Sequence, residues 1–147
     1  MRSNKGITLT SLIIYMIVFS IVIGTVSMIS GSFIKNSEEV VISANSSEQY
    51  TRLTTYITED INSINFKSIK VEEDYINIAF LDGSSHQYIY NNNNIYYISV
   101  KDESIDKKIT ICSKITDYSF EIDKEKNNLK ISVTIDGITY KNNYSIK

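Results

Sequence analysis

The sequence contains no proline and no tryptophan, five glycines, one cysteine and one histidine in 147 residues. Proline is the strongest helix breaker, and from Phe33 through Asp82 glycine is missing too, so a helix entering that stretch meets no forced stop. The lone Cys112 excludes an internal disulfide, unusual for a small exported domain, and reads as a small buried apolar residue. His86 and Cys112 are the only members of a Cys–His nucleophile pair. Adjacent strands could join them, but a histidine beside Gly83-Ser84-Ser85 reads as solvated. Gly-x-x-x-x-Gly-Lys-Ser/Thr, Gly-x-Ser-x-Gly and His-Glu-x-x-His are absent, which removes the P-loop, hydrolase-elbow and zincin chemistries. The net charge of −2 gives no broad field for nucleic acid; Lys124, Lys126, Lys130 and Lys141 are offset by Glu121, Asp123 and Glu125.

Charge is also absent from Ile7 to Ile34, between Lys5 and Lys35. One charge at mid-bilayer depth costs about 2.5–3.5 kcal/mol, so a run of this length without one reads as a membrane segment. As a helix it would extend roughly 40 Å at about 1.5 Å per residue, against a hydrocarbon core of about 30 Å. Leu12 to Ile29 is its most apolar part. Ser20, Gly24, Thr25 and Ser27 interrupt it with small residues that allow close helix approach. Arg2 and Lys5 precede the run and favour a cytoplasmic N-terminus with the remainder outside. A secretory signal peptide would have a shorter apolar core and an Ala-x-Ala cleavage site.

Lys5-Gly6-Ile7-Thr8-Leu9-Thr10-Ser11-Leu12-Ile13-Ile14 resembles the leader and helix start of type IV pilins and pseudopilins. The resemblance implies cleavage after Gly6 by a prepilin peptidase, N-terminal methylation of Ile7, and helix packing through Leu9, Ser11, Leu12 and Gly24 against other pilin or pseudopilin subunits. Two positions depart from the family pattern: Ile7 stands where Phe is commonest, and Ser11 where Glu usually pairs with a neighbouring subunit's terminal amine. Ser11 points to a minor subunit, placed where no amine has to be met. Some pseudopilins bind Ca²⁺ in C-terminal loops. Asp82, Asp102, Glu103 and Asp106 could lend oxygens, but no EF-hand spacing links them, and Lys101, Lys107 and Lys108 mark a solvated loop. No metal, cofactor or catalytic residue is assigned.

Beyond Lys35, Tyr50, Leu53, Ile57, Ile61 and Ile64 recur at helical steps on one face, with Arg52, Thr55 and Glu59 opposite. One helix from Ile7 to about Ile64 follows, ending where Asn62 to Asn65 compete with helical hydrogen bonding. Strands are expected at 68–72, 75–81, 86–90, 95–100, 109–113 and 118–123, with a charged loop at 101–108. Asn91 to Asn94 makes a turn. Leu129, Ile131, Val133 and Ile135 alternate with polar residues, and Asp136-Gly137 supplies a type I′ hairpin that sets Ile135 opposite Ile138 and Val133 opposite Tyr140. The tyrosines at 88, 90, 96, 97, 140 and 144 read either as a contact surface or as strand residues filling a small core. Tyr140 takes the second reading from its register, and Tyr88 and Tyr90 stay open.

The fold class is thus α+β, pilin-like: a long N-terminal helix, membrane-embedded first, packed on an antiparallel meander of six or seven strands. Its segments are 1–6 (leader), 7–34 (transmembrane or filament core), 35–64 (amphipathic continuation) and 65–147 (β domain). The resemblance implies a minor pilin or pseudopilin of a filament serving motility, adhesion, secretion or DNA uptake, closest in shape to minor pseudopilins of type II secretion, minor pilins and a competence pseudopilin. The alternative is an uncleaved single-pass protein with a ligand-binding or sensing β domain outside.

Overall fold

The computed structural model describes residues 9–102 and 104–146. Gly6, Ile7 and the expected leader lie outside the described residues. One helix, α1, runs over Leu9–Asn62. Eight strands follow: β1 Phe66–Val71, β2 Tyr75–Phe80, β3 Ser85–Asn91, β4 Asn94–Lys101, β5 Ser104–Cys112, β6 Ile115–Asp123, β7 Asn128–Ile135 and β8 Ile138–Ser145. The first five pair in chain order into one antiparallel sheet and the last three into a second. The chain divides into two compact units, Met1–Val41 and Ile42–Lys147, and α1 contributes to both.

In the second unit the helical stripe forms one wall of the core. Leu53, Ile57 and Ile61 are buried with Ile76, Ile78 and Ile95 of the larger sheet and Leu129, Ile131 and Val133 of the smaller. Period-two alternation explains which strand residues enter: β2 and β7 bury every second side chain, as sheets with one wet face do. Ile64 leaves the expected stripe and is 94 % exposed. The helix ends at Asn62, whose side chain donates to Thr58 O at 2.9 Å, and the chain turns away at Ser63, so helical phase no longer applies two residues later.

The turns follow their residues. Asn92 and Asn93 both take positive φ, 48° and 60°, which asparagine tolerates better than other non-glycine residues. Two asparagines therefore make the turn, while Asn91 and Asn94 pair as the ends of β3 and β4. Asp136 and Gly137, at 50° and 80°, form the expected I′ hairpin, with Ile135 opposite Ile138 and Val133 opposite Tyr140.

The expected loop at 101–108 is instead mostly strand. Lys101 pairs with Ser104 across a tight turn at Asp102, and β5 continues to Cys112 along β4. The outer half of β5 is exposed on both faces, so no apolar alternation marks it. It is an edge strand, and Lys107 and Lys108 suit an edge that must not recruit another strand.

Replacing Ile57, fully buried, with Ala should cost about 2–5 kcal/mol, whereas Ile64→Ser should stay within about 0.5 kcal/mol. Urea unfolding of the detergent-solubilised chain followed by far-ultraviolet circular dichroism measures both, and equal losses would contradict the boundary drawn at Asn62.

Candidate functional site

Two features stand out, one in each unit. In the first, every large apolar side chain from Leu9 to Ile34 is between 50 and 78 % exposed. An apolar surface this long has no place in water and marks contact with hydrocarbon or with other chains. The segment is long and apolar enough to cross a membrane. Three of its hydroxyls are satisfied within the helix, as suits hydrocarbon: Ser20 donates to Met16 O at 2.8 Å, Thr25 to Val22 O at 2.9 Å and Ser27 to Ile23 O at 2.9 Å. Gly24 shares a helical face with Ser20, Ser27 and Gly31 by their steps of four, three and four. A side chain added at Gly24 or Gly31 would meet nothing in the chain. Leu9 and Leu12, two other residues expected to pack in assembly, are exposed in the same way, and Ser11 lies between them in the first turn of α1.

In the second unit, polar residues occupy the buried stripe of α1 itself. Ser46, Gln49, Leu53, Ile57 and Asp60 follow one another at steps of three and four, and all are buried. Gln49 Oε1 accepts from Ser113 N at 2.7 Å, and the Cys112 thiol donates to Gln49 O at 3.4 Å. Ser46 Oγ and the Tyr140 hydroxyl share a hydrogen bond of 2.9 Å, and the Tyr140 ring stacks on Tyr50 at 4.7 Å. Asp60, 7 % exposed, pairs through Oδ1 with His86 Nδ1 at 2.7 Å and accepts at Oδ2 from the Tyr88 hydroxyl at 2.5 Å. Burial, then the Asp60 charge, pushes the Tyr88 phenol far above its ordinary range. Ser46, Gln49 and Asp60 carry no apolar signal in the sequence, although their spacing continues the stripe.

His86 is therefore not the solvated residue its turn suggested. Its ring lies edge-on to Phe80 and Tyr97 at 4.7 and 5.0 Å and lines a cleft of about 300 Å³ with Glu59, Asp60, Ser63, Asn65, Phe80, Asp82 and Ser84. Asp60 beside His86 has the form of a base with its orienting carboxylate. The two serines are otherwise engaged: Ser84 Oγ donates to Asp82 Oδ1 at 2.6 Å, and Ser63 Oγ accepts from Asn65 N at 3.3 Å. Cys112 is no substitute. His86 pairs with Ser99 and Cys112 with Ile95, so about 13 Å along β4 and roughly 9.5 Å across strands separate their backbones. Burial also pushes the thiol up to about 12, away from the reactive thiolate.

Asp82 serves its own turn, accepting from Ser84 N and Oγ, which holds its carboxyl below the usual range. Asp102 sits in the β4–β5 turn and Asp106 on β5, while Glu103 lies outside the described residues. Among the described residues no three His, Cys, Asp or Glu are arranged to hold a metal. Of the four lysines considered for phosphate contact, Lys130 pairs with Asp123 at 3.2 Å. The tyrosines turn to one another: Tyr90 stacks on Tyr118 at 3.8 Å, Tyr97 meets Tyr56 and Tyr88, and Tyr96 carries Lys108 over its ring at 4.9 Å. Tyr88 and Tyr90 are thereby used in packing.

Comparison with protein-family models, curated proteins and solved structures finds no match.

Tyr88→Phe should cost about 1.5–3 kcal/mol, because it takes a donor from a buried carboxylate. Tyr50→Phe should cost nothing or stabilise, since its buried hydroxyl has no hydrogen-bond partner among the described residues; equilibrium unfolding separates the two, and similar costs would contradict the role given to Asp60.

Stability should also fall on the alkaline side. Burial is the largest cause that pushes Cys112, Tyr97 and Tyr144 up to about 12, from ordinary values of 9.0 for the thiol and 10.0 for the phenols. The unfolded chain releases these protons first, so between about pH 9 and pH 12 it binds fewer than the folded chain and stability declines with pH. Thermal midpoints across that range would show it, and a flat profile would contradict it.

Proposed function

We propose that the chain is a minor subunit of a type IV pilus-like filament, a structural protein and not an enzyme. The observation that carries the reading is that α1 exposes every large apolar side chain from Leu9 to Ile34 while its continuation buries Leu53, Ile57 and Ile61 in an antiparallel β domain. A plain lipid anchor has no need of a small-residue face at Ser20, Gly24, Ser27 and Gly31, whereas helix-to-helix packing does. The Gly6–Ile7 junction, with basic residues before it, supports entry through a prepilin peptidase, and Ile7 would be the methylated mature terminus.

In this reading the apolar segment holds the chain in membrane lipid until assembly, with the N-terminus cytoplasmic and the β domain outside, and then packs among the helices of other pilin or pseudopilin subunits. Leu9, Ser11, Leu12 and Gly24 belong to that packing surface. Ser11, in place of a carboxylate, fits a minor position such as the tip. Direct DNA binding has no support in the mixed charges around Lys124 to Lys130. Ile7 and Ser11 also suit the rival reading, an uncleaved single-pass protein with a sensing or ligand-binding β domain, and the two readings part at the leader.

In cells with an active prepilin peptidase, intact mass and N-terminal sequencing should find Ile7 at the mature terminus, and the Gly6→Ala variant should retain residues 1–6. A leader that persists in the unmodified protein would overturn the filament reading in favour of the rival.

A further inference from the structure

We draw no further inference here: the strongest candidate, the cleft of about 300 Å³ lined by Glu59, Asp60, Asp82 and His86 between the last turn of α1 and the β2–β3 turn, is an acidic cluster whose buried member is already bonded to His86 and Tyr88, and nothing seated in it or aimed into it points to a ligand.

Discussion

The β domain depends on the docking of one helical stripe. Each of the two sheets has a single apolar face, and a lone antiparallel sheet of three or five strands cannot keep that face from water. Leu53, Ile57 and Ile61 supply the cover, and both sheets contribute to the core that forms around them. At about 1.5–3 kcal/mol for each large apolar side chain buried, these three positions weigh heavily against the 5–15 kcal/mol net stability of an ordinary domain. A unit of roughly a hundred residues whose single cysteine allows no internal disulfide has few other means of holding two sheets together.

Apolar contact alone would let the helix slide or rotate on the sheets, because hydrophobic burial is not directional. The polar members of the stripe are directional. Gln49 meets the chain between β5 and β6, Ser46 meets Tyr140 on β8, and Asp60 meets His86 and Tyr88 on β3. A helix displaced by one residue would leave a buried carboxylate and a buried amide without partners, at about 1–3 kcal/mol or more each. These contacts fix the register of α1 against both sheets, and the lone histidine of the sequence serves that register.

Periodicity disclosed whatever presents one face to the core. The stripe of α1, the alternation of β7 and the Asp136-Gly137 hairpin were legible because burial imposes the period on the letters. The outer half of β5 was not legible: its residues from Ser104 to Lys108 are exposed on both faces, so nothing selects for alternation, and only its pairing with β4 makes it a strand. Ile64 misled for the opposite reason, an apolar letter at the right step but beyond the last helical turn. The Asp60 site was hidden because its members lie 26 and 28 residues apart in sequence and each looks ordinary in its own neighbourhood. The reading of His86 as solvated failed there, since a turn says nothing of what a helix places above it.

The apolar part of α1 obeys a different rule from the docked part. From Leu9 to Ile34 every large apolar side chain is exposed, and Ser20, Thr25 and Ser27 return their hydroxyls to their own backbone. That is the behaviour of a helix surrounded by apolar matter on every side. Lipid and a bundle of like helices both meet the requirement, and they differ in what they do with Gly24 and Gly31. In lipid the missing side chains only remove contact area and weaken the helix by up to about 1 kcal/mol each, whereas against another helix they admit a closer backbone and recover that loss as packing. The small-residue face would thus be a cost in lipid and a gain against another helix, which is the asymmetry that the proposed filament subunit, held in a membrane before assembly, requires.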